Sequence, residues 1–219
     1  MRWVAVVPVK GGPEAKSRLG DHPQRARFAD AFALDTVAAL LAASIIDGVF
    51  VVTADEPLAA RLAALGAVVV PEVPDPADPL NAAIRQGTDA AREACPGCGT
   101  AVLTGDLPAL TAAGIEGALG LAAVHARSMV ADEEGTGTTA LFALAGVPFS
   151  PRFGLGSRAA HEAAGHVPLG LPATASIRRD VDTGENLAEA LRHGVGVHTS
   201  ALVLPALAAE PRTAPRAAR

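Results

Sequence analysis

Short β-branched runs alternate with Ala- and Leu-rich segments through the first half of this chain, and that rhythm constrains the fold more than any other feature. Residues 3–9, 49–53, 67–70 and 101–104 are apolar and β-branched without the alternating polar positions of a strand wetted on one face, so they read as strands buried on both faces. Between them, residues 24–43, 57–65 and 79–94 carry helical patterns. Strand, helix and strand in succession form right-handed crossovers. The pattern therefore predicts an α/β fold, a Rossmann-like and mostly parallel sheet with helices on both faces. Asp78 before Pro79 predicts one helix start, and Thr111 after Pro108 predicts another. The second half is less regular. Strands at 128–131 and 139–144, a Gly-rich turn at 154–157, a short helix to Ala164 and an extended 177–181 predict an insertion closing over the parallel half.

At 219 residues and 50% hydrophobic content, the chain can bury one sizeable core. Residues 1–204 read as a single domain, and 205–219, built of Ala, Pro and Arg without periodicity, as a disordered tail. A net charge of -5 argues against a nucleic-acid groove, which needs a basic field. The longest apolar stretch, 37–46, has about half the length needed to span a bilayer. With no signal-peptide pattern at the N-terminus, the expectation is a cytoplasmic protein that acts on a small molecule, with no membrane partner.

Ligands of open parallel sheets bind beyond the carboxyl ends of the strands, so the residues just after each strand carry the chemistry. The only two lysines, Lys10 and Lys16, sit with Arg18 after the first strand, in a segment that also holds Gly11 and Gly12. A compact ammonium neutralises polyphosphate, and glycines let backbone N–H groups approach an anion. Asp106 follows a strand in Thr104-Gly105-Asp106-Leu107-Pro108 and suits a hard cation such as Mg²⁺, as well as a simple turn. Asp180 and Asp182 lie at i and i+2, so an extended chain places them on one face with Val181 opposite. Two such charges repel unless a cation sits between them or Arg178 and Arg179 pair with them. Residues 132–139 form a turn ending in hydroxyls, and Phe153-Gly154-Leu155-Gly156-Ser157 leads into a helix with Ser157 as its cap or as an anion ligand. Ser157 is no nucleophile elbow, since Ala159 stands where GxSxG needs glycine. Cys95 and Cys98, lacking further metal ligands nearby, read as a plain helix-to-strand turn with Pro96, Gly97 and Gly99, and the six histidines as structural or solvent-facing.

Pro8-Val9-Lys10 with Lys16-Ser17-Arg18-Leu19, the run Leu80 to Ile84, Thr104 to Pro108, Asp132 to Thr139, Phe153 to Ser157 and Arg179 to Thr183 occur in an order that resembles one family. It is that of the 2-phospho-L-lactate or phosphoenolpyruvate guanylyltransferases of coenzyme F-420 biosynthesis, over roughly residues 2–200. The resemblance implies a nucleotidyltransferase fold like that of the molybdenum-cofactor guanylyltransferases. It implies GTP as donor, a phosphorylated three-carbon acid as acceptor and Mg²⁺ as cofactor, and it is compatible with a homodimer. It places Lys10, Lys16 and Arg18 on the GTP phosphates, with Lys10, Lys16 and Asp106 catalytic, and Asn81 at the nucleotide. Asp106, Asp180 and Asp182 then hold the metal, and Thr139, Gly154 and Ser157 bind the acid. Other acceptors, such as a molybdopterin or a sugar phosphate, and a non-catalytic nucleotide-binding regulator on the same fold are the alternatives.

Overall fold

The computed structural model describes residues 1–10, 24–75 and 77–209, so Lys16 and Arg18 lie outside the described residues. Four strands form the parallel half: β1 (Trp3–Pro8), β2 (Ile46–Thr53), β3 (Val68–Pro71) and β4 (Gly99–Leu103). The helices that connect and flank them are α1 (Arg25–Leu41), α2 (Glu56–Leu65), α3 (Pro79–Ala94) and α4 (Ala112–Ala122). The seven-stranded sheet runs β3-β2-β1-β4-β6-β5-β7, completed by β5 (Arg127–Ala131), β6 (Thr138–Ala143) and the short β7 (Val167–Pro168). Among the described strands only β6 is antiparallel to its neighbours, pairing that way with both β4 and β5.

Alternation along β1 builds both faces of the core. Trp3, Ala5 and Val7 point to the side holding Leu34, Val37 and Leu40 of α1 and Ile115 and Leu119 of α4, while Val4 and Val6 join Ala83 and Ile84 of α3 on the other. Helices thus cover both faces, as the β-branched runs predict. Gly87 is where α3 comes closest to the sheet: a Cβ there would stand 2.4 Å from Val6 Cγ1 and 2.7 Å from Val52 Cγ2.

The second half departs from the expectation of an insertion over the parallel half. β6, β5 and β7 instead prolong the same sheet beyond β4. β3 is not buried on both faces, because it is an edge strand with β2 alone beside it; Val68 is 49% exposed. The segment 177–181 is not a strand but opens as a 3-10 turn at Ser176–Arg178. α5 (Ser157–Ala163) and α6 (Gly184–His193) follow the carboxyl-edge loops. The last helix, α7 (Val197–Ala209), continues past position 204, where the domain was expected to end, and residues 210–219 lie outside the described residues. Its start is held from afar: the buried Asp35 of α1 accepts from His198 N and Thr199 N, each at 2.9 Å. Residues 95–98 form the expected turn between α3 and β4, and Cys95 and Cys98 are in addition joined by a disulfide. Among the described residues no helix is long and apolar enough to cross a membrane.

Candidate functional site

Three carboxylates converge at the carboxyl end of β4. Oxygens of Asp106, Asp180 and Asp182 all lie within 4.8 Å of one another, although 74 residues or more separate Asp106 from the other two in sequence. Three contacts bring the distant segment there. Thr139, at the start of β6, accepts through its carbonyl from Thr104 N at 3.0 Å and donates through its hydroxyl to Ile177 O at 2.7 Å. Val181 N donates to Asp106 O at 3.0 Å. The Val181 side chain, 1% exposed, packs with Phe28 and Phe32 of α1 and Ala190 of α6. Alternation thus turns Asp180 and Asp182 away from Val181, as the i, i+2 spacing requires, even though the segment is not a strand. Directly after Asp182, Thr183 and Asn186 form a capping box that starts α6. Carboxylates gathered this closely repel one another, and an all-oxygen donor set of this kind fits a hard divalent cation. The Thr104 hydroxyl, buried two residues before Asp106, makes no hydrogen bond among the described residues.

The neighbouring arginines bind other groups. Arg178 donates to the carbonyls of Ala131, Leu171 and Asp132, and Arg179 reaches Glu133 and Glu189 at 3.4 Å each. Both tie the 178–179 segment to the 131–133 turn. The turn at 132–139 is likewise occupied: the Asp132 carboxylate accepts from Thr136 N and Gly137 N, so these N–H groups are not presented to an anion.

Next along the sheet edge, beyond β1, β2 and β3, lies a cavity of about 600 Å³. Its apolar wall includes Pro8, Val9, Val52, Pro74 and Leu80, and its charged residues are Lys10, Asp55 and Glu72. Lys10 stands between this cavity and the aspartates, because β1 lies between β2 and β4. The Gly105 turn closes against it, with the position of a Cβ on Gly105 3.3 Å from Pro8 O. Asp55 and Glu72 each follow a strand, so the rule that singles out Asp106 could have found them.

The 152–157 loop is held between the start of α3 and the start of β6. Asn81 of α3 donates to Phe153 O at 3.0 Å and accepts from Phe153 N at 2.8 Å, while its second amide hydrogen reaches Asp78 Oδ1 at 2.8 Å. A nucleotide contact at Asn81 would have to use the oxygen's second lone pair. Asp78 correspondingly makes no cap bond to the α3 backbone; Asn81 and Arg85 take its carboxylate instead and hold its pKa below the usual range. His161, fully buried, accepts at Nε2 from Arg152 N at 2.8 Å, which assigns the ring proton to Nδ1, 3.0 Å from the Thr138 hydroxyl. Burial, aided by His166 and Arg152, lowers the His161 pKa to about 4. Sequence reasoning classed the histidine as structural, and its bonds make it the brace between this loop and β6. Gly154 and Gly156 adopt positive φ, 132° and 67°, which shapes the loop. Ser157 is not the cap: Gly156 holds that position, and Ser157 is the buried first residue of α5. Thr139 is also committed, since its only hydroxyl hydrogen goes to Ile177 O.

A protein-family model described as Guanylyl transferase CofC like matches residues 3–208. The phosphoenolpyruvate guanylyltransferase of Streptomyces scabiei (strain 87.22) is 51% identical over 207 residues, covering 92% of this chain and 95% of that protein. Its counterpart in Thermomonospora curvata is 47% identical over 204 residues, covering 92% and 89%. Among solved structures, a protein from Desulfovibrio desulfuricans G20 described as a nucleotide-diphospho-sugar transferase superposes with a TM-score of 0.60 at 15% identity, covering 94% of this chain and 96% of that one. At that identity the likeness is one of fold.

Proposed function

The chain belongs to the CofC-like guanylyl transferase family, and on that premise we propose that it transfers GMP from GTP to the phosphate of phosphoenolpyruvate in coenzyme F-420 biosynthesis. The observation that carries this reading is the order of groups along the carboxyl edge of the sheet. The cavity lies at β3, β2 and β1, Lys10 follows β1, the three aspartates gather at β4, and the 152–157 loop is braced to β6 by His161. A nucleotide laid along that edge puts its base in the cavity, its phosphates at Lys10 and its α-phosphorus beside the aspartates. The acceptor then comes from the β6 side.

In the reaction a phosphate oxygen of the acid forms a bond to the α-phosphorus of GTP, the bond from that phosphorus to the β-phosphate bridge breaks, and pyrophosphate leaves with the electron pair. A phosphate monoester is largely dianionic at neutral pH, so the chain need not supply a general base. Its task is alignment and charge neutralisation. Lys10, with Lys16 and Arg18, holds the triphosphate. Mg²⁺, held by Asp106, Asp180 and Asp182, would neutralise charge on the transferring phosphoryl group. The Gly154 N–H and the Ser157 hydroxyl bind the acid's carboxylate. Thr139 serves by holding the Ile177 turn that carries Asp180 and Asp182.

The test is pyrophosphate release from GTP with phosphoenolpyruvate and, separately, with 2-phospho-L-lactate, with and without Mg²⁺, and the product mass read by mass spectrometry. The expected product is a diphosphate-linked guanosine and enolpyruvate formed only with metal. Release with neither acid overturns the reading.

A further inference from the structure

We propose that Glu72 reads the guanine base of the donor, accepting from its N1–H and its 2-amino group; the inference rests on the donor reading above and adds the residue that selects the base. A base needs flat apolar walls and a few fixed polar groups, and the cavity at β1, β2 and β3 offers Pro8, Val52, Pro74 and Leu80 with two carboxylates, of Asp55 and Glu72. The two carboxylates are not equivalent. Asp55 Oδ1 accepts from Leu58 N at 2.9 Å as the cap of α2, which leaves it one uncommitted oxygen. Glu72 makes no side-chain hydrogen bond or ion pair with any described residue, so both of its oxygens are available to the cavity.

Its backbone is nevertheless fixed. Glu72 N donates to Thr53 O at 3.3 Å, and the Gln86 amide of α3 clamps the next residue, accepting from Val73 N at 2.9 Å and donating to Val73 O at 2.7 Å. A held backbone carrying an uncommitted two-oxygen acceptor is a preorganised site for two adjacent N–H donors. Guanine presents such a pair on its Watson–Crick edge. Hypoxanthine lacks the 2-amino donor, and adenine presents an acceptor at N1, so each leaves one carboxylate oxygen without a partner.

The experiment is equilibrium binding of GTP, ITP and ATP, with Mg²⁺, to the wild-type chain and to Glu72→Gln and Asp55→Asn, with melting curves as a folding control. The wild type is expected to prefer GTP over ITP by at least about tenfold, and Glu72→Gln to bring that ratio to within about threefold without a change in melting temperature. Glutamine offers one acceptor and one donor, the complement of adenine's edge, so the gap between GTP and ATP should also narrow. A GTP-to-ITP ratio that Glu72→Gln leaves at its wild-type value overturns the proposal, as does a wild type that binds GTP and ITP equally. Loss of discrimination in Asp55→Asn with retention in Glu72→Gln transfers the role to Asp55. No binding of any nucleotide to the wild type sinks the donor reading itself, and a mutant-independent base preference sinks only the Glu72 assignment.

Discussion

Val181 anchors the segment that carries two aspartates. Its buried side chain and its N–H bond to Asp106 O fix a segment whose flanking carboxylates both turn to the same side. On the proposed reading these carboxylates hold the metal. Asp106→Asn and Asp182→Asn should each lower kcat by on the order of 100-fold or more while the melting temperature is retained, since neither removes a core contact. Near-full activity of either variant across a Mg²⁺ titration removes that residue from the metal set. Lys10→Arg keeps the charge but exchanges a point ammonium for a planar fork, so it should impair GTP binding where an exposed lysine elsewhere would tolerate the swap. The measurement is GTP affinity of that variant, with a wild-type value as the adverse result. At this scale the i, i+2 aspartates were legible because alternation is a local property. The Thr139 hydroxyl was not, because its acceptor, Ile177 O, lies 38 positions away.

α3 uses one device twice. Asn81 clamps the Phe153 backbone on the acceptor side, and Gln86 clamps the Val73 backbone on the donor side, each with a side-chain amide that both donates and accepts. The helix that closes on the sheet through Gly87 therefore sets the position of both loops to which the proposed function gives a substrate. Opposite kinetic effects follow from two positions in the first half of one helix. Asn81→Ala should raise KM for the acid and leave that for GTP, whereas Gln86→Ala should raise KM for GTP and leave that for the acid. Steady-state kinetics with each substrate varied in turn decides it, and equal effects on both substrates in both variants would mean that the amides only stabilise α3. The helix itself was legible end to end from its periodicity and Pro79, and the amide clamps were not, since an Asn or Gln in a helix carries no sequence sign of a distant loop. α7 was missed for a related reason. Its start depends on Asp35, more than 160 positions earlier, and a sequence cap signal is sought only next door.

At the scale of the whole molecule, the strand and helix alternation was enough to give the elements of the parallel half, though not the exposure of its edge strand β3. The β6, β5 and β7 extension was misjudged because pairing partners across a sheet leave no periodic trace. That extension is joined to the 152–157 loop through His161, and a pH dependence of stability is expected from that bond. His161 must be neutral to accept at Nε2 from Arg152 N, and its folded pKa of about 4 lies below the ordinary 6.5. His166, 5.5 Å away ring to ring, is lowered in the same direction by burial. Between about pH 6.5 and about pH 4 the unfolded chain therefore binds protons that the folded chain does not. The stability that neutral His161 contributes is fully present above about pH 6.5 and is lost as pH falls toward about 4. The expected loss between about pH 7 and about pH 5 is on the order of 1–2 kcal/mol, a range in which exposed carboxylates stay mostly ionised. Denaturant unfolding across that range reads it directly. His161→Gln, whose amide can still accept from Arg152 N but does not titrate, should flatten the slope, and with it any rise in acid KM at low pH. An unchanged slope in that variant would assign the pH dependence to other groups and leave His161 as a brace without a titration role.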